Sequence, residues 1–154
     1  MITIRKATIE DLKTIQDLYS GLHDFEALFT DEFDKNWSYS EKGKKLFEKR
    51  LKGYKSIIFI AEEDDKPVGF ALTHVFREIV RYRAEIAKLE YLFIKEEVRG
   101  KGVGSMLVSE TKKILKKKKI PRLKVVAMTN NSNAISFYKK HGFSDFASIL
   151  EMDL

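Results

Sequence analysis

Three glycines fall within five residues in Arg99-Gly100-Lys101-Gly102-Val103-Gly104-Ser105. They follow an apolar run at 89–94 and open a helical pattern in which Val103, Leu107, Thr111 and Ile114 hold one face. Glycines let a backbone approach a ligand closely and adopt dihedrals denied to other residues. A helix start adds unpaired N–H groups and the positive end of the helix dipole. Together they suit an anion, a pyrophosphate above all. Neither common nucleotide fingerprint fits. G-x-x-x-x-G-K-[ST] is absent, and the G-x-G-x-G spacing has Lys124 rather than an acid about 20 residues on. A bare strand–helix turn is the plain alternative.

Glu90 is the second chemical candidate, an acid inside the otherwise apolar strand pattern Lys88-Leu-Glu-Tyr-Leu-Phe-Ile94. Strict alternation places it on the same face as Leu92 and Ile94. An acid so placed either lines a cleft or is paired, with Arg77 or Arg81 as strand neighbours. In a cleft it could take a proton from an amine, which with a pKa of about 10 is ammonium at pH 7. Asp24, Glu26 and Trp37, with Tyr39, form a third cluster. Acids and ring faces attract ammonium groups. A solvated loop over a small aromatic core would have the same composition.

These residues need elements to position them. Alternation predicts a first strand through Ile2 and Ile4, and Thr8-Ile-Glu-Asp11 reads as a helix start. Helix one is expected over about 9–21, and a second helix closes at Gly53. Strands at 56–62 and 68–80 form a hairpin around Asp64-Asp65-Lys66-Pro67. Arg81-Tyr82-Arg83 turns into a long strand at 84–94. After the glycine turn and its helix come a strand at 122–128, a short helix at 133–140 and a last strand at 143–154. Meandering strands followed by crossover units imply an α/β (α+β) layer fold, a mixed central sheet with helices on both faces.

The 154 residues are expected to form a single domain, 1–154. With 44% hydrophobic and 12% aromatic residues, the chain can bury a core. There is no cysteine, which excludes disulfides, thiolate metal sites and a Cys nucleophile. The three histidines lack metal-ligand spacing, so no metal is expected. No apolar run approaches the roughly 18 residues needed to cross a bilayer, and no membrane role is expected. Without an apolar stretch after Met1, a cytoplasmic protein is expected. The net charge is +6, and six lysines crowd 112–119. Such a run is usually a solvated face; steering of an anionic ligand is a second reading. Nucleic-acid binding is the least supported, because no aromatics interleave with the lysines.

Two segments carry a family resemblance. Arg99, Gly102 and Gly104 meet the pattern [Q/R]-x-x-G-x-[G/A], and Asn131-Ser-Asn-Ala134-Ile-Ser-Phe137-Tyr138-Lys-Lys-His-Gly142-Phe143 meets N-x-x-A-x-x-[FLY]-Y-x-x-x-G-F. In this order, with a strand between, they resemble the GCN5-related N-acetyltransferase (GNAT) family over nearly the whole chain. Glu96 stands where the family often has proline. The stretch around Glu90 is similar to diamine and spermidine/spermine acetyltransferases within the family, with Tyr91 in place of an Asp.

The resemblance implies a sheet whose fourth and fifth strands splay apart, with acetyl-CoA in the gap. It places Leu92, Phe93 and Ile94 along the cofactor. It assigns Arg99, Gly100, Lys101, Gly102, Val103, Gly104 and Ser105 to the pyrophosphate, and Asn131 and Ala134 to the cofactor wall beyond strand five. Tyr138 becomes the acid or hydrogen-bond donor to the leaving sulfur, also touching the cofactor. Glu90 becomes the base or a substrate contact, and Asp24, Glu26 and Trp37 the substrate wall. The activity implied is direct acetyl transfer from acetyl-CoA to a primary amine, first of all a small diamine- or polyamine-like cation. A protein N-terminus or lysine is the second acceptor, so the partner is a small-molecule or peptide amine. A homodimer is a family-level expectation. A non-catalytic acyl-CoA-binding sensor is the rival of another class.

Overall fold

The computed structural model describes residues 1–77 and 85–154. Its elements are β1 (Ile2–Lys6), α1 (Leu12–Glu26), α2 (Glu41–Lys52), β2 (Ser56–Glu63), β3 (Lys66–Arg77), β4 (Glu85–Ile94), α3 (Val103–Lys117), β5 (Leu123–Val125) and α4 (Ser132–Lys140). One sheet runs in the order β1-β2-β3-β4-β5, antiparallel except for the parallel pair β4–β5. The mixed sheet expected from the sequence is thus present. The last residues expected in β3, the Arg81-Tyr82-Arg83 turn and Ala84 lie outside the described residues.

Local chemistry explains several joints. The β2–β3 turn holds Asp64 and Asp65 at φ of 50° and 62°. Two left-handed residues match the twist of a two-residue hairpin, and Asp tolerates that region better than most side chains. Before α1, the Asp11 carboxylate accepts the Thr8 N–H at 2.8 Å and grips Arg5 of β1 with both oxygens, at 2.8 and 2.7 Å. Arg5 also donates to Glu62 of β2 at 2.9 Å, so one side chain ties a helix start to two strands.

Apolar residues on the two faces of the sheet build two layers. Ile15, Leu18, Tyr19 and Leu22 of α1 and Phe47 of α2 pack on Ile58, Ile60, Phe70, Leu72 and Phe93. On the other face, Val103, Leu107 and Val108 of α3 pack on Ala61, Ala71 and Leu89. Leu92, Ile94, Phe137 and Tyr138 join that second layer.

Three expectations need correction. Helix α1 continues to Glu26, beyond the predicted end near Gly21, so Asp24 and Glu26 lie in its last turn rather than in a loop. Gly21 causes no break, because it sits against the Phe93 ring, where a Cβ would come within 2.9 Å. Strand β5 is only three residues long instead of seven. Residues 143–154 form no strand, although their composition reads as one. Ile149, Leu150, Met152 and Leu154 are exposed, so no buried face rewards pairing there. The segment stays beside β5 through Phe146, whose ring lies under Arg122 and Lys124.

Candidate active site

The site begins where β4 and β5 part. They pair through Ala87–Leu123, Lys88–Lys124 and Leu89–Val125, and no pairing follows. The edge of β4 from Glu90 to Ile94 that faces β5 therefore carries no strand among the described residues. Its other edge is bound to β3, with Phe93 opposite Phe70 and Leu92 opposite Ala71. Leu92, Phe93 and Ile94 thus line an opening on the side where the sequence reading placed them.

Glu90 sits at a β-bulge. Leu72 pairs with Tyr91 and Thr73 with Leu89, which leaves Glu90 as the extra residue. A bulge breaks strict alternation and re-aims a side chain. The expectation that Glu90 shares a face with Leu92 and Ile94 is therefore overturned. Those two pack in the α3 layer, whereas the Glu90 carboxylate meets Arg50 of α2 on the opposite face, at 3.0 Å. Arg50, not the expected Arg77, is its partner, and Arg81 lies outside the described residues. Both side chains are largely buried, at 17% and 21% exposure.

Two tyrosines complete this face. The Tyr19 and Tyr91 rings meet edge-on at 4.7 Å, with Trp37 and Phe47 against Tyr19. Burial pushes the Tyr19 hydroxyl well up, with Tyr91 and then the charges of Glu26 and Glu90 adding to it. The charges of both acids thus reach one aromatic pair. Burial also raises the Glu26 carboxyl; His23 Nε2 lies 3.9 Å from it. Burial holds that imidazole below its usual range. Asp24 is set apart: it is exposed and faces Lys35 at 3.8 Å. Trp37 belongs to the aromatic packing behind the site.

The glycine turn has the conformation its composition implied. Gly100 and Gly102 take φ of 79° and 81°, and nothing stands within 4 Å of where either Cβ would be. This is a backbone that a large anion can approach, at the N-terminus of fifteen-residue α3. Val103 is buried, and Gly104 lets α3 lie against Phe137 of α4. Lys101 reaches Glu63 at 3.0 Å. Ser105 Oγ lies 2.9 Å from His141 Nε2. Arg99 clamps the turn: its Nε donates to the Ile94 carbonyl at 3.0 Å and its guanidinium stacks 4.4 Å from the Phe25 ring centre.

Helix α4 closes the other side. The Asn131 side chain caps it by accepting the Ala134 N–H at 3.1 Å. That bond gives Asn131 a structural role as the cap of α4. Tyr138 packs beside Phe137 and Phe143, and burial pushes its phenol up to about 12. Its hydroxyl has no protein partner among the described residues. The turn, the α3 N-terminus, the open edge of β4 and Tyr138 together fit a long anionic thioester such as acetyl-CoA. The described residues contain no His/Cys/Asp/Glu cluster able to hold a metal.

Sequence reasoning missed Arg50, Tyr19 and Phe25. Each lies 40 or more residues in sequence from the group it serves, and only the packing of α1 and α2 on the sheet brings them together. Tyr91, next to Glu90, was legible as a departure from the family pattern, but its ring partner was not.

Comparison with known proteins agrees with this geometry. Residues 22–143 match the family model described as the acetyltransferase (GNAT) family. A spermidine N(1)-acetyltransferase of Thermoplasma acidophilum is 30% identical over 148 residues, 92% of this chain and 88% of that protein. An uncharacterized N-acetyltransferase of Methanocaldococcus jannaschii is 29% identical over 93% of this chain and 61% of its own length. Among solved structures, a predicted acetyltransferase from Clostridium acetobutylicum with acetyl-CoA superposes with a TM-score of 0.80 at 18% identity, covering 99% of this chain and 96% of that one. The chain is an acetyltransferase that belongs to the GNAT family, whose acyl donor is acetyl-CoA.

Proposed function

We propose that the chain acetylates a primary amine of a small cationic acceptor of the diamine or polyamine kind. The observation that carries this reading is the Tyr19–Tyr91 ring pair, felt by the charges of Glu26 and Glu90 and carried on β4 just past the last residue that pairs with β5. Two acids and two ring systems suit an extended molecule with more than one ammonium group. The name of the Thermoplasma relative points the same way.

Bound acetyl-CoA supplies an activated acetyl thioester. Glu90, directly or through water, takes the proton from the acceptor ammonium, and the free amine attacks the carbonyl carbon. Arg50 holds the carboxylate in place for that transfer. Backbone N–H groups of the 99–105 turn hold the pyrophosphate, and the open edge of β4 orients the pantetheine arm. Tyr138 supports departure of the sulfur as the C–S bond breaks. A phenol at about 12 is a weaker acid than a thiol of about 8.5. Tyr138 therefore keeps its proton and donates a hydrogen bond to the thiolate, while the N–H proton that the attacking nitrogen sheds as the amide forms passes to solvent and the thiolate takes one up from it. No cysteine is present, so attack within a ternary complex needs no Cys acyl-enzyme.

The test is release of CoA thiol from acetyl-CoA in the presence of spermidine, putrescine, simple amino acids or a lysine peptide. The protein contributes no thiol background. Release led by spermidine or putrescine is the expected result. Release led by the peptide would move the acceptor to a protein amine. Binding of acetyl-CoA without release for any amine would favour a sensor.

A further inference from the structure

Strand β1 stops before β2 begins. The Ala7 N–H makes the last bond between them, to the Ile58 carbonyl at 2.8 Å, and residues near the C-terminal ends of α2 and α3, one from each face of the sheet, line the uncovered start of β2. A crevice of about 170 Å³ remains. Its walls include Lys6, Arg50, Tyr54, Ser56, Ile114 and Lys118, and no acid is among its lining residues. Lys118 is part of the lysine run that the acetyl-transfer reading leaves unused. Neither Lys6 nor Lys118 has an ion-pair partner among the described residues. Arg50 is half satisfied: its Nη2 holds Glu90, while its Nε is buried with no partner. His74, with Nδ1 3.2 Å from Ser56 Oγ, senses the same positive field. Its imidazole is pushed down by burial and then by Arg50, Lys55 and Lys49. The two helix C-termini offset part of this, each with about half a negative charge. With Arg50 matched by Glu90, Lys6 and Lys118 still leave an excess.

We propose that this crevice binds a small dianion of the phosphate class, inorganic phosphate or a phosphomonoester, and that the bound ion acts on Glu90 through Arg50. The ion supplies the oxygens that Lys6, Lys118 and the Arg50 Nε lack, as charge-assisted hydrogen bonds. The proposed occupant is a free solute rather than a polymer. A turn of the Arg50 guanidinium toward it loosens the hold on Glu90, and the effect on catalysis rests on the role proposed above for that acid.

The experiment is a calorimetric titration of inorganic phosphate into protein saturated with CoA, at constant ionic strength. CoA fills the 99–105 turn, so binding there is silent. Saturable binding at one ion per chain is expected. The double variant Lys6→Gln/Lys118→Gln, altered only at surface lysines, should bind phosphate about tenfold more weakly, roughly 1.4 kcal/mol, with CoA affinity and melting temperature unchanged. Absence of saturation, equal affinity in the variant, or displacement of phosphate by an oligonucleotide would each overturn the site. A second arm compares kcat in phosphate and in chloride of equal ionic strength. A change in the parent protein that the double variant lacks supports the coupling; binding with no change in kcat overturns the coupling alone. Because the titration needs no turnover, it stands or falls separately from the acetyl-transfer reading.

Discussion

Glu90 and Tyr138 lie in opposite layers of the molecule, one held by Arg50 of α2 and the other carried by α4. Their variants should therefore fail differently. Glu90→Gln should lower kcat by about a hundredfold and abolish the acidic limb of its pH profile, with acetyl-CoA affinity unchanged. An unaltered limb would remove Glu90 as the base. Tyr138→Phe should lower kcat by about a hundredfold at every pH, because the phenol is protonated throughout the assay range. The sign follows from burial. A phenol raised to about 12 loses its proton only near that pH, so its ionisation adds no alkaline decline below about pH 11. A decline that Tyr138→Phe abolishes would contradict this. The residues most visible in the sequence were those that motifs fix by spacing, Gly102 and Tyr138 among them. Arg50 was invisible because a guanidinium on an amphipathic helix looks the same whether it meets water or a buried acid.

At the level of elements, helix starts and turns were legible and strand faces less so. Thr8 to Asp11 and Gly100 to Gly104 announce themselves by local bonding and dihedral demands. The end of α1 does not: nothing local at Gly21 reveals that Phe93 fills the space beside it, so the helix runs on to Glu26. Two joints offer tests. Gly102→Ala forces a side chain into the left-handed region at a cost of about 1–2 kcal/mol. It should raise KM for acetyl-CoA several-fold and change kcat little. Arg5→Ala should destabilise the fold by about 1–3 kcal/mol, because the largely buried Asp11 carboxylate loses its main partner, and chemical denaturation would measure it. The pair also sets a pH dependence. The Asp11 carboxyl is held below its usual range, chiefly by Arg5. Its contribution is complete above the unfolded value near 4 and is lost as pH falls through the lower folded value. Arg5→Ala should flatten that acid-side loss.

For the whole molecule, the order of strands and helices was readable because each layer has its own apolar face. The final segment was misread for the converse reason. Residues 143–154 have strand-like composition but no face of the sheet to cover, and a pattern on one segment cannot report the absence of a partner. Charge is a property of this scale too. A chain at +6 meets a donor that carries several phosphates. KM for acetyl-CoA should rise several-fold between about 50 and 500 mM NaCl, with kcat steady, as the Debye length contracts. Steady-state kinetics across that range would check it, and a flat KM would assign recognition to the 99–105 turn alone.

The single extra residue in β4 has a consequence for how such a chain can change. Glu90 faces α2 because of a count, one residue more on β4 than on β3, and not because of its chemical type. Point substitutions along the strand leave that count alone. Deleting one residue there would close the bulge and cost the site its acid, even with every other side chain kept. Homologous segments grafted onto this scaffold must therefore match in length before they match in identity.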